Sequence, residues 1–248
     1  MIKEIFEHRS IRKYTDKPIP KEVMDNILNA AARASNTGNM QVYSIVVTTD
    51  DGIKEELAPT HFNQPMVKNS QAILTFCADY NRFNKWCRQR DAEPGYDNFL
   101  SFLTGAIDAI IAAQNACLEA EANGLGICYL GTASYNADKI IDILNLPKGV
   151  VPVTAVTIGY PDETPELTDR LPLEAIVHYE KYQDFTEEKI DEVYAEKEAR
   201  EDMKQFTKEN NKETLAQVFT DVRYTKANNE HFSQVFYDVL KKQGFICE

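Results

Sequence analysis

Residues 7–19 read Glu-His-Arg-Ser-Ile-Arg-Lys-Tyr-Thr-Asp-Lys-Pro-Ile and place five groups able to carry or share positive charge around the hydroxyl of Ser10. His8, Ser10 and Arg12 alternate, so in an extended segment their side chains face one way. Imidazole, hydroxyl and guanidinium donors together suit a phosphate, which accepts several charge-assisted hydrogen bonds at once. A solvated basic patch after a short helix would show the same spacing, and on spacing alone that simpler interpretation is favoured.

The chain as a whole is acidic. It has 248 residues and a net charge of −12, with 43% hydrophobic and 27% charged residues, which is ordinary globular composition. Such a charge argues against nucleic acid or an anionic membrane as a partner. An anionic ligand would need a local basic site, and this makes residues 7–19 more informative.

Cysteine and histidine patterns exclude several chemistries. The five cysteines include no Cys-x-x-Cys pair, so neither a disulfide framework nor a zinc site is expected. The four histidines show no His-x-x-His pairing, so no metal is expected. Cys128 is a candidate nucleophile, but a small residue in a buried strand is the favoured interpretation. Met1 leads into the charged residues Lys3 and Glu4 rather than an apolar signal segment, so a cytoplasmic location is expected.

Hydrophobic periodicity predicts the main elements. A helix is expected over residues 20–34, followed by a polar segment, Ser35–Gln41, which taken alone is a turn. Strands are expected over 43–48, 72–78, 127–130 and 151–159.

The longest helical pattern covers residues 97–122. It is too polar for a membrane span, yet so apolar that it must be buried nearly all round, and a subunit interface would cover part of it. Beyond it, the C-terminal part of the chain is rich in charge and poor in apolar residues. We therefore expect a core of residues 1–184 and a C-terminal helical extension, 185–248, that packs on the core or on a partner subunit.

Glycines near residue 125 do not form a dinucleotide-binding loop. Such a loop follows a strand and opens a helix, whereas Gly124-Leu125-Gly126 follow a predicted helix and precede a predicted strand. Gly131, after that strand, would instead let a ligand approach the backbone closely.

These features, in this order, resemble the FMN-dependent nitroreductase family, and most closely its group A, the oxygen-insensitive nitroreductases and related flavin reductases. No single motif is decisive, but their order and spacing are specific and span nearly the whole chain. The matching positions are residues 7–19, Gln41, 76–82, 124–126, 129–131, 170–172, His178 and 242–245.

The resemblance implies an α+β, three-layer fold, with a central mixed β-sheet between helices, assembled as an intertwined homodimer with FMN at the subunit interface. By resemblance, His8, Ser10 and Arg170 would hold the FMN phosphate, with Arg9 at the same loop. Arg12 would reach the pyrimidine edge of the flavin ring. The other implied cofactor contacts are Ser35, Asn36, Thr37, Gln64, Tyr129, Leu130 and Gly131.

The implied activity is two-electron, ping-pong hydride transfer: NAD(P)H reduces FMN, and a nitroaromatic, a quinone or free flavin then takes the electrons. The Arg12 guanidinium would favour the negatively charged reduced flavin, and no side-chain acid or base is evidently required. A protein of the same fold that binds, stores or degrades flavin without turnover is the alternative.

Three positions depart from the group A pattern. Thr168 stands where a lysine is usual, and Thr132 where a second glycine is usual. Lys208, in the predicted polar loop 207–212, stands where an arginine usually contacts the 2′-phosphate of NADPH. Because lysine is a point charge without a bidentate fork, a modest preference for NADPH with measurable use of NADH is expected.

Overall fold

The computed structural model describes residues 1–246, and the chain divides into two compact units. The first unit comprises Met1–Glu166 and the chain from Phe232 onward, and the second comprises Leu167–His231. The strands are β1 (Tyr43–Thr48), β2 (Ala72–Asp79), β3 (Gly126–Leu130) and β4 (Val150–Gly159). The helices are α1 (Lys3–Glu7), α2 (Lys21–Ala32), α3 (Asp51–Leu57), α4 (Pro65–Asn69), α5 (Asn81–Arg88), α6 (Phe99–Ala122), α7 (Ala137–Ile143), α8 (Glu187–Ala199), α9 (Glu201–Glu209), α10 (Leu215–Val218) and α11 (Lys226–Gln243).

A four-stranded sheet in the order β1-β2-β4-β3 forms the centre of the first unit. Every residue of β2 is buried, as expected for a strand covered on both faces. Leu74 and Phe76 pack with α2 and α6, whereas the neighbouring Ile73 packs with α3 and α4 on the opposite face. The predicted α+β class, with a sheet between layers of helices, is confirmed.

The sheet is antiparallel where a mixed sheet was expected. All three pairings between the described strands are antiparallel. The 8–14 segment runs beside β3 but does not form a strand. It makes one isolated parallel bridge, between Ser10 and Ile127.

Helix α6 is the central helix of the first unit. By length and composition it could cross a membrane, but half of its most apolar stretch is buried in the protein, as in a core helix. Its small residues allow close packing: a Cβ on Gly105 would lie 2.9 Å from the Val42 carbonyl oxygen. The opposite side of α6 carries an exposed apolar row, defined by Phe99, Leu100, Leu103, Ile107, Ile110 and Ile111.

The C-terminal half of α11 belongs to the first unit. Val239 and Leu240, together with Phe245 just beyond the helix, share a core cluster with Tyr80 and Phe102. The division of the chain into a core of residues 1–184 and an extension of residues 185–248 stays a prediction.

Candidate functional site

The basic segment is fixed against β3. The Ile11 N–H donates to the Ile127 carbonyl at 2.8 Å. Gly126 permits this approach, since a Cβ there would lie 2.5 Å from an Ile11 side-chain carbon. The Tyr14 hydroxyl is buried, donates to the Ile11 carbonyl at 2.8 Å, and has its pKa raised by burial. Residues 10–14 are therefore held in place before any ligand binds.

Glu163 holds the backbone around Arg12. One of its carboxylate oxygens accepts from the backbone N–H groups of Arg12 and Lys13, at 2.6 and 3.0 Å. The Arg12 guanidinium is exposed and donates a long hydrogen bond, 3.4 Å, to the Ser10 carbonyl. Sequence reasoning missed Glu163 because it lies about 150 residues away from the segment it holds.

Arg9 offers an unused donor at the same place. Its terminal nitrogen donates to the Glu7 carbonyl at 2.9 Å, whereas its buried Nε has no hydrogen-bond partner among the described residues. A buried unpaired donor is unfavourable. A phosphate oxygen is the kind of acceptor that would satisfy it, so this segment fits the group that the sequence implies.

His8 is oriented by Glu121, in the last turn of α6. Its Nδ1 lies 2.6 Å from a Glu121 carboxylate oxygen, which leaves Nε2 as the ring nitrogen available to a ligand. Burial raises the pKa of Glu121 above its ordinary value, and the hydrogen bond with His8 opposes that rise. This partner was also missed, because 113 residues separate the two.

The polar loop 35–37 is tied to α6 through Asp108. The Thr37 backbone N–H donates to both Asp108 carboxylate oxygens, at 3.0 and 3.2 Å, and its hydroxyl donates to one of them at 3.2 Å. Asp108 itself is buried. Asn36 accepts from the Gln41 N–H at 3.2 Å, while Ser35 is exposed. The loop is thus held by specific hydrogen bonds to a buried carboxylate, whereas the sequence alone favoured a simple turn.

The end of β3 presents the other predicted contacts. Tyr129 and Gly131 are exposed, and Leu130 between them is buried. Open space surrounds the face of Gly131 that a Cβ would occupy, with no atom of the described residues within 4 Å. Gln64 is half-buried, and its amide donates to the His61 carbonyl at 3.1 Å.

Cys128, in β3, is a buried thiol. Burial raises its pKa, and the positive charge of Arg12 opposes that rise. A thiol held protonated in this way is a poor nucleophile, which agrees with the favoured interpretation of this residue.

The second unit contains Arg170. Its guanidinium donates to the Thr168 hydroxyl at 2.7 Å and to the Asp169 carbonyl at 2.9 Å. Thr168, where the group A pattern has lysine, therefore orients Arg170 instead of adding a charge. Asp169 pairs with Lys197 at 2.7 Å, and this hydrogen bond lowers the pKa of the Asp169 carboxyl.

Lys208 also lies in the second unit, but in the last turn of α9 and not in a loop. It lines a surface cavity of about 610 Å³ together with Lys204 and Lys212. Lys212 pairs with Asp221 at 2.9 Å. The predicted loop begins three residues later than expected because α9 continues through Glu209.

The first unit thus has a basic segment that lies along the edge strand of an antiparallel sheet. Comparison with known proteins identifies the family to which the chain belongs. Residues 5–160 match the sequence model of the Nitroreductase family, and the chain belongs to this family.

Two relatives and one solved structure illustrate the similarity. An oxygen-insensitive NADPH nitroreductase of Salmonella typhimurium is 36% identical over 192 residues, covering 76% of this chain and 78% of the relative. An FMN reductase [NAD(P)H] of Bacillus subtilis is 32% identical over 254 residues, covering 100% of this chain and 98% of the relative. The crystal structure of a Bacteroides fragilis protein superposes with a TM-score of 0.97 at 53% identity, covering 98% of this chain and 99% of that one.

Proposed function

We propose that this protein is an FMN-dependent NAD(P)H oxidoreductase that reduces nitroaromatics, quinones or free flavin. The observation that carries the proposal is the basic segment at residues 8–14, held rigidly along β3 with the Arg9 Nε lacking a partner among the described residues. The similarity to an FMN reductase over the full length of the chain supports the same activity.

The phosphate of FMN would bind to Arg9, to Ser10 and to the Nε2 of His8. Arg12 would lie at the pyrimidine end of the flavin ring, where its positive charge favours the reduced cofactor. When bound, FMN would supply the hydride-transfer chemistry, and the chain supplies position and charge. The remaining ring contacts would come from Ser35, Asn36, Thr37, Gln64, Tyr129, Leu130 and Gly131.

A homodimer would complete the structure. The exposed apolar row on α6 includes Leu100 at 70% exposure and Ile107 at 49%. Six large apolar side chains on one helix face form the kind of patch that another protein surface normally covers. A second copy of the same helix is the proposed cover, in a cytoplasmic protein without nucleic-acid or membrane partners.

NADPH is the proposed preferred reductant, with measurable use of NADH. Lys208 would contact the 2′-phosphate, because it lies with Lys204 in the cavity of the second unit. A lysine discriminates less sharply than an arginine at such a position.

Anaerobic NADPH oxidation tests the proposal. The FMN-loaded protein should oxidise NADPH continuously when a nitroaromatic or quinone is present and should stop after one equivalent when no acceptor is added. A protein that binds FMN but turns over with neither acceptor would be a flavin-binding or flavin-storing protein, and the proposal would fail.

A further inference from the structure

Buried side chains tie together two short segments that carry proposed flavin contacts. One is the turn Ala58–His61, which Gln64 follows, and the other is the turn Gly131–Ala133 at the end of β3. His61 Nδ1 lies 2.7 Å from the Thr132 hydroxyl oxygen. A second link to the first turn comes from Asn136, just before α7, whose amide donates to the Thr60 carbonyl at 2.8 Å.

His61 joins the two sides of this arrangement. Its side chain contacts Thr132, while its carbonyl accepts from the Gln64 amide at 3.1 Å. The residue is 1% exposed, and burial lowers its pKa to about 4. The imidazole is therefore neutral near pH 7, with one donor and one acceptor nitrogen, and it can form a hydrogen bond with a hydroxyl without burying a charge.

Thr132 makes this contact possible. The family pattern usually has a glycine here, and a glycine could not offer a hydroxyl to His61. The residue directly follows Gly131, whose open face is the proposed approach to the flavin. A constraint on the Thr132 side chain is therefore also a constraint on the Gly131 backbone.

We infer that the His61–Thr132 pair positions the flavin ring, by fixing the separation between the Gln64 side chain and the Gly131 backbone. The inference rests on the proposed function and adds two positioning residues to it. A bond that served the fold alone would stabilise the protein without altering the surroundings of the flavin.

Two substitutions at Thr132 distinguish a role in positioning the flavin from a role in stabilising the fold alone. Thr132→Val keeps the branched shape but removes the hydroxyl, and Thr132→Ser keeps the hydroxyl. For each full-length protein, the measurements are the FMN dissociation constant from flavin fluorescence, the visible circular dichroism of bound FMN, and the melting temperature of the FMN-free protein.

Thr132→Val should weaken FMN binding by up to about tenfold, the limit reached if the whole net value of the lost hydrogen bond serves to order the flavin site, and should change the visible circular dichroism. Thr132→Ser should stay within about twofold of the parent and keep its spectrum. An unchanged spectrum in Thr132→Val overturns the inference, whatever happens to its melting temperature or affinity. Equal impairment in both variants also overturns it, because shape and not the hydroxyl would then matter. Failure of the proposed function is distinguishable in the parent protein itself, which would then either bind no FMN or bind it without oxidising NADPH continuously in the presence of an acceptor.

Discussion

Burial of His61 makes the stability of this protein depend on pH in a predictable direction. Burial lowers the pKa of His61 from 6.5 to about 4, so the unfolded chain takes up a proton in this range and the folded chain does not. Stability contributed by His61 is therefore complete above about pH 6.5 and is lost as the pH falls toward 4. At 1.36 kcal/mol per pKa unit, the full loss is about 3 kcal/mol, of which about 2 kcal/mol has gone by pH 5.

Urea unfolding of the parent and of His61→Asn, at about pH 7.5 and about pH 5, isolates this effect at one fixed protein concentration. Asparagine keeps a polar group near the position of Nδ1 but does not titrate. Between the two pH values the parent should lose about 2 kcal/mol more of its free energy of unfolding than the variant. The quantity compared is the change in the free energy of unfolding between the two pH values. A loss of packing that is the same at both pH values therefore cancels. Equal losses in the two proteins would show that His61 is not buried in its neutral form.

Three further substitutions test other parts of the site. Asp108→Asn should weaken the hold on Thr37 and lower the melting temperature by about 4–8 °C, for a loss of about 2 kcal/mol; an unchanged melting curve would contradict this role. Ile107→Asp should weaken dimerisation at least about tenfold in sedimentation experiments, because an unpaired charge would be buried in the interface; an equally stable dimer would place the interface elsewhere. Lys208→Ala should lower kcat/KM several-fold for NADPH but barely for NADH, with Lys204→Ala as the matched control. An equal response to both nucleotides would remove Lys208 from recognition of the 2′-phosphate.

Local patterns predicted the sheet and the basic segment well. Strands β2 and β4 are runs of apolar and β-branched residues, and their sequence alone gives their limits to within a residue or two. The 8–14 segment was recognisable because its positive groups stand out in an acidic chain. The identity of the cofactor was inferred from the resemblance to a known family, because the spacing of the residues alone could not identify it.

Partners distant in sequence could not be predicted. Glu163 and Glu121 are two among 39 acidic residues, and nothing near either one marks it as a partner of the basic segment. Asp108 lies in the apolar pattern of residues 97–122, where nothing in the sequence marks it as a partner of the 35–37 loop to which the fold brings it. His61 showed no motif, since its role depends on a hydroxyl 71 residues away. The C-terminal extension was expected to pack on the core or on a partner subunit, but its sequence did not show which of its residues would do so: Val239 and Leu240 join a cluster with Tyr80 and Phe102, far away in the chain.

The central claim is that the segment along β3 binds FMN through its charges, and FMN titration of Arg12→Ala tests it most directly. The Arg12 guanidinium donates only weakly within the protein, at 3.4 Å to the Ser10 carbonyl, so removal of this side chain should leave the fold intact. Loss of a charged contact to the flavin costs about 1.5–3 kcal/mol, which corresponds to roughly tenfold or more in affinity.

Lys13→Ala is the matched control, because it removes an equal charge from the adjacent exposed residue. Arg12→Ala should weaken FMN binding by about tenfold or more, while Lys13→Ala should stay within about twofold of the parent protein. Equal FMN affinity in the two variants would contradict the central claim.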